Sequence, residues 1–288
     1  MQKKSSSLNF NSPMFIRTVF IISFLLLHTQ IFAHGDLSLR IEKKTEEIKQ
    51  NPKDCNLYFQ RGLLYQQHSE YKKSLTDYRK SQQLGNQENV LQYRIAEVNY
   101  LSEEYKVALK HIAFYLKKEN TNSIGKKLEA QILFHLKKYK KAIKSYRFVI
   151  KNLPEIRPEE ILEYANIILT ENNKNYKEAL SAIETGLDKL GKNTLSLQLK
   201  KLEYLKESHQ TEKVIKQYNY FISEYKRNEF WYYKKAKYLA NVNQPQQANI
   251  ALQLAHMNIA ELDIKFKNMK SIIKLKEQIK TLENTINN

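Results

Sequence analysis

The stretch SEYKKSL at residues 69–75 returns with changes as EEYKVAL at residues 103–109 and as KKYKKAI at residues 137–143. Each copy begins 34 residues after the one before it. A looser copy, NYKEAL, stands at residues 175–180. A fixed period of this length indicates a repeat architecture, because one short unit cannot bury its apolar side alone and must stack on its neighbours.

Two columns of the repeat continue along the chain. The first holds a small or short side chain, and the second holds a large side chain four residues later. The pairs are Ser74 and Tyr78, Ala108 and Ile112, Ala142 and Tyr146, Ala179 and Ile183, Val214 and Tyr218, and Ala248 and Leu252. Residues four apart share a helix face, so each unit contains an amphipathic helix. Tyr58, Gly62 and Tyr65 follow the same spacing and predict a helix before it.

These units resemble the tetratricopeptide repeat. In the first unit the family positions are held by Tyr58, Gly62, Tyr65, Ser74 and Tyr78. The resemblance covers residues 55–257. It implies an all-α fold, a right-handed superhelical solenoid of antiparallel helix pairs with about six repeats plus capping helices. Leu202, Tyr115 and Phe221 stand where the family usually has a small residue, and we expect altered packing angles there.

The repeats and the prolines predict how the chain is divided. Residues 34–54 are expected to form an N-terminal capping helix, residues 55–153 the regular repeats, and residues 154–257 the degenerate repeats. The segment LPEIRP at residues 153–158 marks the joint. Residues 258–288 carry apolar side chains near heptad spacing. They predict either a capping helix or a coiled-coil-like helix that pairs with a partner.

The first 33 residues have the pattern of a secretory signal peptide. Lys3, Lys4 and Arg17 precede the apolar run TVFIISFLLL, and Ala33 offers a small residue at a cleavage point. The run is shorter than the about 20 residues that a membrane-spanning helix needs. We therefore expect cleavage after Ala33 and a secreted or periplasmic protein. Translation from Met14 is an alternative start, and only an uncleaved leader would hold the protein in a membrane.

The charge is strongly basic, with 48 Lys and Arg residues against 30 Asp and Glu residues and a formal net charge of +18. Only 8 of the basic residues are Arg, and the lysines are spread along the chain. Because Lys reads phosphate less effectively than Arg, this pattern indicates a solvated face and predicts no specific nucleic-acid partner. The alternative is a basic, envelope-associated binder of an anionic polymer.

The sequence predicts neither catalysis nor a cofactor or metal. Six glycines are few for a doubly wound nucleotide-binding fold, and one cysteine excludes an internal disulfide. The segment GLDKLGKN at residues 186–193 has the spacing of a phosphate-binding loop, but Asn193 replaces the hydroxyl residue that should hold magnesium. We expect it instead to end a helix capped by Gly191. No catalytic, cofactor-binding or metal-binding residue is assigned.

The resemblance also implies where a partner would bind. In the family the first helix of each pair lines the concave face, where peptides or helices lie. Carried over position by position, this face comprises Phe59, Leu63, Gln66, Tyr93, Glu97, Tyr100, Lys127, Gln131, Phe134, His135, Asn166 and Leu169. Aromatic anchors among polar neighbours suit protein recognition, although Tyr93 and Phe134 could equally pack only against adjacent helices. Phe59 and Leu63 hold two positions where some relatives clamp a carboxylate, so no such clamp is expected. The leading hypothesis is an exported scaffold that binds a protein or peptide without catalysis.

Overall fold

The computed structural model describes residues 36–287, and the predicted signal peptide lies outside them. The described residues form 15 helices and no strand, which confirms the predicted all-α class. The helix α1 spans residues 36–50. Among the described residues, no helix is both long and apolar enough to cross a bilayer.

Six pairs of helices follow α1, as the period predicts. The first three are α2 (Cys55–Gln67) with α3 (Tyr71–Gln83), α4 (Asn89–Leu101) with α5 (Tyr105–Lys118), and α6 (Ser123–His135) with α7 (Tyr139–Asn152). The next three are α8 (Pro158–Glu171) with α9 (Tyr176–Leu190), α10 (Leu195–Glu207) with α11 (Thr211–Glu224), and α12 (Asn228–Asn241) with α13 (Pro245–Glu261). The chain then ends with α14 (Ile264–Lys267) and α15 (Lys270–Asn287).

Two compact units make up the described chain. Unit 1 runs from residue 36 to Ser145 and unit 2 from Tyr146 to residue 287, so the division falls inside α7. Within each unit, consecutive helices pack against one another. Repeat proteins are held by such nearest-neighbour contacts, and each unit therefore has its own core.

The turn between the two helices of a pair has one geometry at five of the six pairs. At the first, the N–H of Ser69 donates to the carbonyl of Gln66 (3.0 Å) and that of Glu70 to Tyr65 (2.8 Å). This is the Schellman arrangement, which places the residue after the helix in the left-handed region. The residues in that position are Ser69, Glu103, Lys137, His209 and Asn243, with φ between 54° and 62°. The fourth pair differs, because its turn at residues 172–175 contains no residue with positive φ.

The two repeat columns form the core. All six small residues are fully buried, and the six large ones are at most 2% exposed. In the first pair, Gly62 on α2 faces Tyr78 on α3, and a Cβ atom at Gly62 would lie 2.6 Å from the ring. Burying each large side chain contributes about 1.5–3 kcal/mol, and the short residues allow the helices to come close enough for this.

The departures from the family pattern are compensated by neighbouring residues. Tyr115 on α5 is buried against Gly125 on α6, where a Cβ atom would lie 2.8 Å from the ring. Phe221 on α11 stacks on Trp231 of α12, with ring centroids 4.2 Å apart and an interplanar angle of 6°. A large side chain is accommodated by a glycine at one site and by a flat aromatic partner at the other.

Polar side chains also join the helices of unit 1. The guanidinium of Arg61 on α2 donates to both carboxylate oxygens of Asp77 on α3, at 2.7 and 2.8 Å, and to the hydroxyl of Thr45 on α1 at 3.1 Å. Asp77 is buried. The hydrogen bond to Asp77 raises the pKa of Arg61 further above its usual range, against the opposing effect of burial. Three helices are thereby connected through one ion pair.

The C-terminal segment differs from one continuous heptad helix. Its apolar series is interrupted at Leu262, where the backbone is extended and α13 ends. Only the last part, α15, is a long helix. Ile272, Leu275 and Ile279 of α15 are buried in a cluster with residues of α12 and α13. Its apolar stripe is therefore covered by the last helix pair of the same chain.

Candidate protein-binding site

The twelve residues predicted to contact a partner all lie on first helices of their pairs. In unit 1, α2 carries Phe59, Leu63 and Gln66, α4 carries Tyr93, Glu97 and Tyr100, and α6 carries Lys127, Gln131, Phe134 and His135. In unit 2, α8 carries Asn166 and Leu169. His135 and Asn166 are exposed and the other ten are half-buried. We call the ten residues of unit 1 the first-helix face.

A hydrogen-bond network connects α2 and α4 on this face. The amide of Gln66 donates to Glu97 Oε2 (2.7 Å), and the hydroxyl of Tyr78 donates to Gln66 Oε1 (2.7 Å). Arg94 donates to the same Oε2 (2.7 Å), and Tyr93 donates to Oε1 (3.3 Å). Burial opposes the charge of Arg94, but its ion pair with Glu97 outweighs this effect and raises the pKa of Arg94. The network fixes the side-chain positions of Gln66 and Glu97.

An aromatic cluster connects α4 and α6. The ring of His135 stacks on Tyr105, with centroids 4.5 Å apart and an interplanar angle of 7°, and Tyr100 meets His135 edge-on at 5.6 Å. Phe134 contacts Tyr139 with centroids 5.7 Å apart. The structure therefore brings together Tyr100, Phe134 and His135 at the ends of α4 and α6, and their contact with a partner stays a prediction.

Tyr105 and Tyr139 are part of this cluster, and sequence reasoning did not assign them to it. Both are half-buried and begin the second helices of their pairs. The signal was present, because they belong to the tyrosine column that defines the 34-residue period. A residue at the start of a second helix lies beside the end of the first helix, since only a tight turn separates them.

Other residues of the predicted binding face also pack against side chains of neighbouring helices. The ring of Phe59 lies 5.8 Å from that of Tyr78, and Tyr93 lies 5.4 Å from Tyr115. Leu63 and Phe59 both pack against a buried apolar cluster that contains Tyr78. Burial raises the pKa of the Tyr93 hydroxyl well above its usual value. These side chains support the helices, while Lys127 and Gln131 on α6 are half-buried and have partners within the chain.

The segment that resembles a phosphate-binding loop is helical. Gly186 lies inside α9, and Gly191 caps the end of that helix with φ 103°. This is the geometry expected from the sequence. A phosphate loop needs free backbone N–H groups before a helix, and here the glycines lie within a helix and after it.

No family model matches the chain, and no curated protein sequence matches it. Solved structures do match. The C-terminal part of a TPR repeat-containing protein from Cytophaga hutchinsonii superposes with a TM-score of 0.62 at 15% identity, covering 86% of this chain and 97% of that chain. A tetratricopeptide repeat protein from Parabacteroides merdae gives a TM-score of 0.51 at 14% identity, covering 90% of this chain and 96% of that chain. The fold is thus TPR-like, which confirms the predicted fold class.

Proposed function

We propose that the protein is an exported helical-repeat scaffold that binds a protein or peptide on the first-helix face, without catalysis. One observation carries this proposal: aromatic and amide side chains of α2, α4 and α6 adjoin one another along that face, and part of each remains exposed. Partners are commonly bound by a few aromatic anchors among satisfied polar groups.

Several side chains of this face are already held in one conformation, and this favours binding. Fixing a mobile side chain on association costs about 0.5–1.5 kcal/mol. Gln66 and Glu97 are already held by hydrogen bonds, and His135 is already held by stacking on Tyr105. A partner that meets this face would therefore lose little of its binding free energy to ordering the surface.

Photo-crosslinking in intact cells tests the surface. A photoreactive amino acid at the exposed His135 should capture one discrete partner protein. The matched position is Phe114, which is 50% exposed on the second helix α5 of the same unit and should capture it weakly or not at all. Equal yields at the two positions would contradict the proposal.

The captured partner then permits a titration. Tyr100→Ala should weaken its binding at least about tenfold, as expected when an interface anchor is truncated. Phe114→Ala should leave the affinity unchanged. If both variants bind with wild-type affinity, Tyr100 is not an anchor and the face is misassigned.

Export is the second part of the proposal and rests on the leader alone. N-terminal sequencing of the protein from its native cells should give His34 as the first residue. A chain that begins at Met1 or Met14 and is found in the cytosol would contradict it.

A further inference from the structure

A lysine-rich groove lies in unit 2, on helices other than those of the predicted binding face. Its lining comes from α9, α10, α11 and the turn after α9, and it encloses about 600 Å³. Pockets that bind ligands commonly measure about 300–1,000 Å³. We call it the lysine groove.

The groove has a strong excess of positive charge. Its lining includes five lysines and one glutamate. The lysines are Lys177, Lys192, Lys201, Lys213 and Lys216. Lys201 pairs with Glu184 at 2.7 Å, and Lys192 pairs with Asp188 on the rim. Lys213 donates to the neutral Gln210, at 2.7 Å. Like charges gathered around one concavity repel one another and attract an anionic ligand.

The floor of the groove is apolar and ordered. Leu187 and Leu205 are almost fully buried beneath it, and Leu180 is half-buried. Gln217 donates to Gln198 (2.6 Å), and Gln198 donates to the backbone carbonyl of Lys192 (2.6 Å). The amides are thus occupied by each other and by the backbone. The apolar surface that the lining exposes belongs to the half-buried Leu180 and Tyr220, and the lysines at the rim supply charge.

A second groove, also lined by α9, shows how the chain can occupy its own cations. Its lining contains three cations, Arg147, Lys151 and Lys189. Arg147 pairs with Glu178 at 2.8 Å, and Lys189 donates to the carbonyl of Ile150 at 2.7 Å. The chain's own carboxylate and carbonyl groups therefore occupy Arg147 and Lys189, two of the three cations of the second groove. In the lysine groove, two of five lysines have a carboxylate partner among the described residues, and these are Lys192 and Lys201.

We propose that the lysine groove binds an acidic peptide segment that carries an apolar side chain. The ammonium groups would pair with carboxylates at the rim, and the apolar side chain would cover Leu180 above the buried leucines. A phosphate polymer fits less well, because the lining contains no arginine fork for phosphate and the polymer would leave the exposed part of Leu180 in water.

The test uses the chain without its leader and a labelled synthetic peptide in which glutamates flank leucines. Lys213→Glu/Lys216→Glu should weaken its binding at least about tenfold, the loss of about 1.4 kcal/mol. Lys213 lies in the first turn of α11, where a glutamate is compatible with the helix dipole. The matched control Lys237→Glu/Lys274→Glu changes the net charge equally at exposed positions of the same unit and should change the affinity less than about twofold, since distant exposed charges are screened.

Two further probes distinguish the chemistry. A peptide with serine in place of leucine should bind less well, and a peptide with glutamine in place of glutamate should not bind. Equal weakening by the two lysine variants would overturn the proposal, because attraction would then come from net charge alone. So would inorganic polyphosphate that binds in the groove more tightly than the peptide.

Discussion

The first and fourth helix pairs bring their helices together with a glycine on opposite members of the pair. In the first pair, the glycine is on the first helix and the large side chain is on the second, with Gly62 facing Tyr78. In the fourth pair, Gly186 on the second helix faces Ile161 on the first. The comparison shows that a glycine on either helix can permit a close approach within a pair, at different positions of the repeat.

Both units join their helices with ion pairs and with aromatic contacts, but a different contact can be probed in each. Unit 1 contains the ion pair of Arg61 with Asp77, which links α1, α2 and α3. In unit 2, Phe221 of α11 stacks on Trp231 of α12. Trp231 is the only tryptophan in the chain, so its fluorescence reports on unit 2 and separates the two units in an unfolding experiment.

The largest expected effect is that of Asp77→Ala on unit 1. The substitution leaves the largely buried Arg61 without its partner and should cost about 3–5 kcal/mol. Hydrogen exchange should show lost protection in α1 to α3, with a smaller change in the unfolding of unit 2 reported by Trp231. Asp188→Ala, which removes an exposed partner of Lys192, should change the stability far less, because exposed ion pairs are screened by solvent. Equal losses would mean that the ion pair does not hold unit 1 together.

The close contacts at the two glycines can be tested with Gly62→Ala and Gly186→Ala. Added Cβ atoms would lie 2.6 Å from Tyr78 and 2.8 Å from Ile161, and each variant should lose about 1–3 kcal/mol by overpacking. In a Tyr78→Ala background, Gly62→Ala should instead be neutral or stabilise by about 0.5–1 kcal/mol, because alanine favours helix. Gly186→Ala needs an Ile161→Ala/Leu197→Ala background for the same result, because its Cβ atom would also lie 2.9 Å from Leu197. An unchanged cost in these backgrounds, measured by urea unfolding, would refute the contact.

A smaller effect, an increase in stability, is expected from a substitution in one of the turns. Lys137 has φ 57°, a conformation that costs a side-chain-bearing residue about 1–2 kcal/mol. Lys137→Gly should raise the free energy of unfolding by about 0.5–1 kcal/mol, since glycine's greater freedom in the unfolded chain offsets part of the gain. Asn173→Gly in the fourth turn, which has no positive φ, should not stabilise. A gain at Asn173 as large as that at Lys137 would contradict the turn argument.

The smallest expected effect is a pH dependence confined to unit 1. His111 on α5 lies 2.8 Å from Gln92 Oε1 on α4. Burial lowers the pKa of His111, and Lys110 and Arg79 lower it further. A histidine with a lowered folded pKa contributes stability above its unfolded pKa and loses it as the pH falls through the folded pKa. Unfolding between about pH 5 and pH 8 should therefore show less acid destabilisation for His111→Gln than for the wild type.

The architecture could be predicted because short and large side chains recur at a regular spacing along the sequence. Six short residues, each followed four positions later by a large one, mark six second helices, and all twelve residues are buried. The interruption at Leu262 could not be predicted, because the apolar series of the C-terminal segment continues across it. Packing of α15 on α12 and α13 decides the geometry there.

The candidate sites could be predicted only in part. First-helix positions follow from the resemblance, but the inward packing of Phe59 and Tyr93 depends on Tyr78 and Tyr115 of other helices. The lysine groove is invisible in sequence, since its lysines are distributed from residue 177 to residue 216 and resemble any solvated helix surface. Only the folded chain brings them to one concavity.

The shared turn geometry makes the repeats interchangeable at their joints. Ser69 and Glu103 have almost the same backbone conformation and the same pattern of hydrogen bonds, although their side chains differ. A gene segment that starts and ends at such points can be duplicated or deleted while the chain still rejoins in matching geometry. Growth of the array by recombination thus requires no new kind of loop, and none of the five joints of this geometry needs a glycine.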